Sequence, residues 1–214
     1  MSNVRYQTKE ENGAREISTT VAYDKTELSK LVEWAVDGNV EAFGELYSIY
    51  LDQIYRYVFY QVKDRMTAED LTEEIFVKAW KALGRYKQKK SAFSAWLYRV
   101  ARNHVIDYFR TRRQHQALAE EIPTAAASLE QEVEARLMQQ ELSEAISYLP
   151  FQQRQIIILK FIEGLENSEI AQIMGKREGA IRVMQMRALM ALRQKLSSES
   201  GICKLSYLKP LMKV

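Results

Sequence analysis

The chain has 214 residues, of which 47% are hydrophobic and 28% are charged, a balance that excludes an intrinsically disordered protein. Eight glycines and three prolines leave little turn chemistry for a sheet protein, and helix-favouring residues dominate, so the composition predicts an all-α fold. The net charge is +3, but basic segments at 85–115 and 172–195 flank an acidic segment at 116–145. Each basic segment could be a solvated face, but two of them favour a protein that contacts a polyanion at two places.

The first half of the chain predicts a polar tail and four helices. Residues 1–26 lack periodicity and are expected to form a disordered tail. In "KDRMTAED", Thr67 is the expected N-cap of the third helix, with Asp70 at the capping-box position. Apolar side chains at helical spacing predict helices from Thr26 to the break "DGN" at 37–39, from about Phe43 to Val62, at 68–83 and at about 92–110.

The second half predicts a linker and a second helical domain. The segment "QHQALAEEIPTAAASLEQEVE" is acidic, rich in small residues and interrupted by Pro123, which is typical of an interdomain linker. Helical spacing resumes between Leu137 and Tyr148, and three further helices with short turns are predicted after it. The closing residues, 198–214, give no fold signal.

The segment "NSEIAQIMGKREGAIRVMQMRAL" has the layout of a helix-turn-helix. Ser168 is the expected cap of a short helix, Gly175 supplies the left-handed turn that ends it, and a longer helix begins near Glu178. At about 100° per residue, the longer helix has an apolar inner face composed of Ile181, Ala188, Leu189, Leu192 and Leu196. Its outer face holds Arg182, Val183, Met186, Arg187 and Met190.

The mixture of arginines and apolar side chains on that outer face suits a DNA major groove. Arginine can reach guanine edges or phosphates there, and apolar groups can contact thymine methyls. The alternative is that Met186 and Met190 pack against a neighbouring helix.

The fourth helix, "FSAWLYRVARNHVIDYFRTRR", presents a similar mixture. Aromatic rings interleaved with arginines can stack on bases while the arginines neutralise phosphates, but each aromatic could equally be buried against the second helix. The face predicted to be core holds Phe93, Leu97, Val100, His104 and Tyr108. The outward side holds Tyr98, Arg99, Arg102, Ile106, Phe109 and Arg110.

Four ordered segments, covering roughly 27–197, together resemble a bacterial RNA polymerase sigma factor of the extracytoplasmic-function type, within the sigma-70 family. The segments are "EAFGELYSIYLDQIYRYVFYQV", "AEDLTEEIFVKAWKAL", "FSAWLYRVARNHVIDYFRTRR" and "LPFQQRQIIILKFIEGLENSEIAQIMGKREGAIRVMQMRALMALRQKL". The resemblance implies two small helical domains, sigma region 2 at 27–113 and sigma region 4 at 137–197, joined by a flexible acidic linker at 114–136. It also implies a transcription initiation factor that binds core RNA polymerase, recognises minus-ten and minus-thirty-five promoter elements and aids promoter melting.

The resemblance assigns roles to three groups of residues. Core-polymerase binding falls on Asp70, Glu73 and Glu74, for which a solvated helix N-terminus is the alternative, while Phe76 and Trp80 hold that helix in its own core. Minus-ten DNA binding falls on Lys87, Lys89, Lys90, Ser91, Tyr98, Arg99, Arg102, Asn103, Arg110 and Arg113. Minus-thirty-five DNA binding falls on Lys176, Arg177, Arg182, Val183, Met186 and Arg187.

Two stretches depart from the family pattern. Many members carry Gly and an acidic residue where this chain has "KQKKS" at 87–91, the loop that captures a flipped base, so the preferred base does not transfer. Many also have "GTVKSRLHRA" where this chain has "GAIRVMQMRA", so the groove-binding role carries over and the recognised sequence does not.

Other function classes are disfavoured by what the sequence lacks. His104 and His115 are the only histidines, and no phosphate-binding loop, metal-ligand spacing or activated nucleophile accompanies them, so neither an enzyme, a cofactor nor a small-molecule substrate is expected. Cys203 is the only cysteine, and no signal peptide or apolar run of about 18 residues is found, which favours the cytoplasm without direct membrane insertion. The expected partners are core RNA polymerase, promoter DNA and an anti-sigma factor. A stand-alone helix-turn-helix regulator is the alternative.

Overall fold

The computed structural model describes residues 24–87, 92–116 and 144–199. Every regular element in these ranges is helical, which confirms the predicted all-α fold. The elements are α1 (Lys25–Val36), α2 (Val40–Val62), α3 (Arg65–Ala82), a 3₁₀ turn (Leu83–Arg85), α4 (Phe93–Gln116), a helical turn at 144–147, α5 (Phe151–Ile157) continued by a π-helical turn (Ile158–Ile162), α6 (Asn167–Met174) and α7 (Glu178–Glu199). Most of the predicted linker and both predicted tails lie outside the described residues.

Polar side chains start the helices of the N-terminal unit, residues 24–116. Asp24 and Glu27 form a capping box on α1. The Asn39 side chain accepts a 2.8 Å hydrogen bond from the Ala42 N–H at the start of α2. Both helices therefore begin where a side-chain oxygen can satisfy a backbone N–H that has no partner within the helix.

The predicted cap of α3 is wrong. Asp64 is the N-cap instead of Thr67, and its carboxylate accepts a 2.8 Å hydrogen bond from the Thr67 N–H. Because Asp64 precedes Thr67 by almost one turn, the helix begins earlier, and Arg65 and Glu69 form an exposed ion pair of 2.9 Å in its first turns. Asp70 lies inside the helix, away from the cap.

Helix α2 is the centre of the N-terminal unit, because α1, α3 and α4 all pack against it. Its buried side chains recur at intervals of three and four residues, which keeps them on the covered faces of one helix. Burial of each large apolar side chain stabilises the fold by roughly 1.5–3 kcal/mol. The core includes Leu46, Ile54 and Val58 from α2, Ile75 and Ala79 from α3, and Leu97, Ala101 and Val105 from α4.

In the C-terminal unit, residues 144–199, the end of α5 and the start of the π-helical turn are covered on all sides, whereas Gln152 in the first turn of α5 is exposed. Ile156, Ile157, Ile158 and Leu159 are each 0% exposed. Successive residues of a helix point about 100° apart, so four consecutive buried side chains leave no face for solvent. Helix α7 covers one side of α5, and α2 of the N-terminal unit packs on the π-helical turn that follows.

Helices α6 and α7 form the predicted helix-turn-helix. Gly175 ends α6 with φ of 63°, the left-handed conformation expected there, and α7 begins at Glu178 as predicted. The predicted cap at Ser168 is wrong, because Glu166 and Glu169 form a capping box that starts the helix earlier. Ser168 therefore lies in the first turn of α6.

The two units pack against each other, which the sequence did not predict. Helix α4 contacts α6, and α2 contacts the π-helical turn. The Arg154 guanidinium, partly buried between the units, donates to the backbone carbonyls of Gln61 (3.2 Å) and Ser147 (2.8 Å). Burial lowers the pKa of Arg154. The guanidinium thus ties the start of the C-terminal unit to the end of α2.

Candidate nucleic-acid interface

The outer face of α7 is open to solvent. Val183 is 45% exposed, Met186 is 57% exposed and Met190 is 64% exposed, whereas Ile181, Ala188 and Leu192 on the inner face are buried. This division confirms the predicted faces of the helix except at Leu196, whose side chain lies outside the described ones, and it rejects the alternative in which Met186 and Met190 pack on a neighbour. The exposed basic side chains that accompany them are Lys176, Arg177, Arg182 and Arg187.

Packing behind α7 holds this face outward. Ile170, Ile173 and Met174 of α6 are buried in the same core as Ile181. The turn between the helices closes with a 3.0 Å hydrogen bond from the Lys176 N–H to the Ala171 carbonyl. The turn residues Lys176 and Arg177 therefore stand next to the N-terminus of α7, an end of the helix that attracts anions.

Part of the predicted minus-ten set is also exposed. Lys87, Asn103, Arg110 and Arg113 have solvent-exposed side chains. Arg110 lies 3.0 Å from the Asp107 carboxylate, an exposed contact within α4 that contributes little to stability. Lys89, Lys90 and Ser91 lie outside the described residues.

The other three members of that set face the C-terminal unit. Tyr98 is 0% exposed, so the expectation that it points to solvent is wrong. Arg102 Nε donates to Gln155 Oε1 (3.2 Å), and Arg99 Nη2 donates to the Gln172 carbonyl (2.7 Å). The Tyr98 ring packs edge-on against Tyr57 of α2, with centroids 5.7 Å apart, so for Tyr98 the alternative of burial against the second helix is correct. Arg102 is half-buried beneath α5, whereas Arg99 remains exposed beside α6.

Phe109 follows the same pattern. Its ring packs edge-on against Phe151 of α5, with centroids 5.6 Å apart, and the side chain is only partly buried. Gln155 is 0% exposed, and its Nε2 donates to the Tyr57 hydroxyl at 3.3 Å. Polar and aromatic contacts therefore alternate along the boundary between the two units.

A buried carboxylate, Glu163, lies at the centre of this boundary and was missed by the sequence analysis. The Arg56 guanidinium donates to both of its oxygens, at 3.3 Å from Nε and 2.9 Å from Nη2, and the Tyr98 hydroxyl donates to Oε2 at 3.0 Å. The Glu163 side chain is 1% exposed. Burial raises the pKa of Glu163 above its usual range, and burial next to this carboxylate raises the pKa of Tyr98. In the sequence, the one indication of this buried carboxylate is a lone Glu within the apolar run "IIILKFIEG".

The predicted polymerase-binding residues lie on one exposed face of α3. Asp70, Glu73 and Glu74 are all exposed and are followed one turn later by Val77, which is 51% exposed. The interval of three and four residues places the four side chains side by side. The face therefore combines three carboxylates with an apolar patch.

The two aromatic residues of α3 differ in burial. Phe76 is 4% exposed and contacts Tyr47, as expected of a core residue. Trp80 is 37% exposed, so its predicted place in the core is wrong, although its ring packs on Phe43 with centroids 4.8 Å apart. Trp80 follows Val77 by three residues and therefore extends the exposed face of α3.

His104 joins α4 to this helix. It is buried, as predicted; its Nδ1 lies 2.6 Å from Lys78 Nζ, and its Nε2 lies 2.8 Å from the Glu74 carboxylate. Burial and the neighbouring Lys78 lower the pKa of His104. Since an ammonium can only donate, the neutral ring accepts at Nδ1 and carries its proton on Nε2, facing Glu74.

The described part of the chain contains neither a membrane-spanning helix nor a metal-binding cluster. No helix there combines the length and apolarity that crossing a membrane needs. No group of three or more His, Cys, Asp and Glu there lies close enough together to hold a metal ion.

An all-α protein with a helix-turn-helix whose outer face is open belongs to the broad class of DNA-binding proteins. Comparisons narrow that class. The family model "Sigma-70 region 2" matches residues 46–115, and the model "Sigma-70, region 4" matches residues 139–192.

Curated relatives extend the match over most of the chain. The ECF RNA polymerase sigma factor BldN of Streptomyces coelicolor is 36% identical over 181 residues, which are 83% of this chain and 69% of BldN. The ECF RNA polymerase sigma factor SigD of Mycobacterium tuberculosis is 32% identical over 190 residues, 85% of this chain and 89% of SigD.

Solved structures share the fold. CnrH in complex with the cytosolic domain of CnrY gives a TM-score of 0.65 at 25% identity, covering 80% of this chain and 97% of CnrH. RpoE of Bartonella quintana, solved with the anti-sigma factor NepR, gives a TM-score of 0.65 at 23% identity, covering 75% of this chain and 100% of RpoE. The chain belongs to the extracytoplasmic-function sigma factors of the sigma-70 family, the transcription initiation factors that direct RNA polymerase to promoters. These matches give no support to a stand-alone regulator.

Proposed function

We propose that this sigma factor reads the minus-thirty-five promoter element with the outer face of α7. The observation that carries the proposal is the division of α7 into a buried inner face and an outer face where Val183, Met186 and Met190 are exposed among basic residues. Exposed apolar side chains cost free energy in water, and a major groove offers them thymine methyls. Arg182 and Arg187 on the same face can donate to guanine edges or phosphates, with Lys176 and Arg177 at the backbone.

The minus-ten element is proposed to bind along α4 and the loop before it. Lys87, Asn103, Arg110 and Arg113 are exposed and available for phosphate and base contacts. Tyr98, Arg99 and Arg102 belong to the same surface, but they are engaged by the C-terminal unit and require its displacement. Lys89, Lys90 and Ser91 remain part of the proposed set on the resemblance alone. Aromatic stacking and phosphate neutralisation together would favour the melted strand.

Core polymerase is proposed to dock on α3. Asp70, Glu73 and Glu74 supply an acidic face that suits arginines of a partner, and Val77 supplies an apolar contact at the end of that face. Such a combination of a charged rim and apolar area is typical of protein interfaces.

Regulation by an anti-sigma factor is proposed because RpoE was solved with the anti-sigma factor NepR and CnrH with the cytosolic domain of CnrY. The exposed apolar side chains of Trp34 (55%), Val77 (51%) and Trp80 (37%) offer contacts for such a protein. The factor is proposed to act in the cytoplasm, where polymerase and promoter DNA meet. It is also proposed to catalyse no reaction, because polymerase itself forms the phosphodiester bonds.

The domain limits implied by the resemblance are retained as proposals. Region 2 spans 27–113 and region 4 spans 137–197, and these limits enclose most of the two matched ranges. The linker at 114–136 and the tails at 1–26 and 198–214 complete the proposed organisation.

The test is reconstitution with core RNA polymerase purified from the source organism. Polymerase with and without the chain transcribes sheared genomic DNA, and the 5′ ends of the transcripts are sequenced. We expect a set of start sites that depends on the chain and shares two upstream motifs at minus-ten and minus-thirty-five spacing. Failure of the chain to associate with core polymerase across a range of salt concentrations would reject the proposal.

A further inference from the structure

The contact between the two units is built around the Glu163 carboxylate. Arg56 from α2 and Tyr98 from α4 donate three hydrogen bonds to it, and the Glu163 side chain is almost fully buried. An ionised carboxylate without partners is costly in such a place, so these donors are needed for the units to remain together. Glu163 and its two donors are called the interunit latch below.

The latch closes over the surface that the minus-ten element needs. Tyr98 cannot stack on a base while its ring is 0% exposed and its hydroxyl is held by Glu163. Arg102 and Arg99 likewise direct donors at Gln155 and at the Gln172 carbonyl. These two N–H donors would have to leave their present acceptors before they could bind a phosphate, although the Arg99 side chain itself is exposed.

The other proposed binding surfaces remain open in the same conformation. Met186 and Met190 on α7 are more than half exposed, and Asp70 and Glu73 on α3 are exposed. The closed arrangement therefore blocks one of the two DNA-reading surfaces and leaves polymerase docking and the minus-thirty-five face free.

The covalent connection allows the units to separate. Twenty-seven residues, 117–143, lie between the described ranges that end at Gln116 and begin at Glu144. A stretched chain advances about 3.3–3.6 Å per residue, so a connection of this length does not force the units to touch. The contact is therefore held by the side chains at the boundary.

We propose that this conformation is autoinhibited, with the C-terminal unit acting as an intramolecular competitor of minus-ten DNA through the interunit latch. Opening breaks the Arg56–Glu163 pair, releases Tyr98, Arg99 and Arg102, and completes the DNA-binding surface of α4. The inference rests on the proposed minus-ten role of α4. It assigns new roles to Arg56 and Glu163, which belong to none of the proposed DNA or polymerase contacts.

Closure is measured first by single-molecule energy transfer on the free, full-length chain. Cys203→Ser removes the native thiol, and Ser48→Cys and Gln194→Cys provide exposed labelling positions, one on each unit. Arg56→Glu and Glu163→Lys should each lower the ratio of closed to open molecules by at least about tenfold, because each leaves a like charge in place of the pair. The charge-swapped double variant, Arg56→Glu with Glu163→Arg, should restore the closed population.

The matched control is the Arg65–Glu69 pair. Its N···O distance is also 2.9 Å, but both side chains are exposed and belong to α3. Arg65→Glu makes the same charge change as Arg56→Glu and should leave the ratio of closed to open molecules unchanged. Arg56→Gln is a milder variant that should open the chain in the same direction.

The second readout is binding of fluorescein-labelled, mixed-sequence single-stranded DNA, followed by anisotropy. Arg56→Glu should strengthen binding in proportion to the gain in open molecules, although the loss of a positive charge alone would weaken it. Arg65→Glu should weaken binding or leave it unchanged. The two variants should therefore change DNA affinity in opposite directions if α4 becomes exposed, and in the same direction if only the charge matters.

Two outcomes would overturn the inference. One is an unchanged population of open molecules in both Arg56→Glu and Glu163→Lys. The other is an open Arg56→Glu chain that binds single-stranded DNA no better than the native chain. Core-polymerase binding is measured separately on the native chain. If the native chain does not bind core polymerase, the proposed function is wrong. If it binds core polymerase but the latch variants do not open the chain, only the proposed autoinhibition is wrong.

Discussion

The two surfaces proposed to read DNA differ in their exposure to solvent. On α7, Met186 and Met190 face solvent, and packing behind the helix is confined to the inner face. On α4, Tyr98 lies under the C-terminal unit and is 0% exposed. Both helices combine arginines with large apolar side chains on their outward side, so the difference arises from tertiary packing and not from residue type.

This difference gives the two surfaces different energetic roles. A side chain on the open face of α7 is proposed to contribute to DNA binding and should contribute little to the stability of the free chain. A side chain on the covered face of α4 contributes to the contact between the units, and under the proposed autoinhibition it becomes available to DNA only when that contact is lost. Variants on the two faces should therefore separate stability from DNA binding.

The largest expected effect is on the stability of the covered face. Tyr98→Ala removes a buried ring and its hydrogen bond to Glu163, which should lower the free energy of unfolding by about 3–5 kcal/mol in urea titrations. Met190→Ala, on the open face, should change it by less than about 0.5 kcal/mol. Similar small losses for both variants would mean that Tyr98 is exposed in solution, and the contrast between the faces would then disappear.

The next effect concerns DNA binding by the open face. Arg187→Ala should weaken binding of the reconstituted polymerase to its promoter by about 1–3 kcal/mol, because one side chain that reads the groove is lost. Gln194→Ala, also exposed on α7, serves as the control and should bind normally. Both variants should unfold at the native urea concentration. Equal promoter affinities of the two variants would exclude Arg187 from the reading face.

A smaller effect is expected where the two units meet through aromatic rings. Phe109→Leu removes the edge-on contact with Phe151 but keeps an apolar side chain. The closed population should fall by a factor equivalent to about 0.5–1.5 kcal/mol, measured by energy transfer between the units. Phe59→Leu, whose ring stacks on Tyr55 within α2, is the comparison and should leave closure unchanged.

The smallest effect is the response of closure to pH. Burial raises the pKa of Glu163 in the closed form above its usual value of 4.5, and Arg56 and Tyr98 are the charged and titratable groups that contact it from α2 and α4. The closed form therefore binds its proton more tightly than the open form does. Glu163 therefore favours closure most below pH 4.5, and this contribution is lost as the pH rises through the raised pKa of Glu163.

Energy transfer measured across that range should show fewer closed molecules at higher pH. Glu163→Gln should flatten the profile, because an amide does not titrate. A native profile that runs in the opposite direction would show that the Arg56 interaction outweighs the cost of burying the charge.

The open surface was predictable from sequence, since a 3.6-residue period sorts residues into faces whatever surrounds the helix. The same period put Tyr98 on the outward side of α4, which is wrong, because its ring is buried against Tyr57 of α2 and under the C-terminal unit. The helical period could not reveal that the C-terminal unit packs on α4. Such contacts join residues 53 to 73 positions apart, as Arg102 with Gln155 and Arg99 with Gln172, and they leave no local pattern in the sequence.

The helix starts show a second limit of sequence reasoning. Near the start of α3, Asp64 and Thr67 are both preferred cap residues, whereas near α6 Ser168 is of a preferred type and Glu166, which caps the helix through its capping box, is not. Which side chain caps depends on the backbone path into the helix, which composition does not specify. The end of α6 was predictable because Gly175 alone nearby adopts the left-handed conformation without strain.

The π-helical turn before Glu163 makes the position of that carboxylate sensitive to chain length. The Glu163 N–H donates to the Ile158 carbonyl at 3.0 Å, five residues back instead of the usual four. Loss of a single residue from this turn would restore ordinary helical winding and rotate the carboxylate by about 100°, away from Arg56. A one-residue deletion in this turn should therefore abolish the proposed self-restraint in one step, while every side chain proposed to contact nucleotides stays the same.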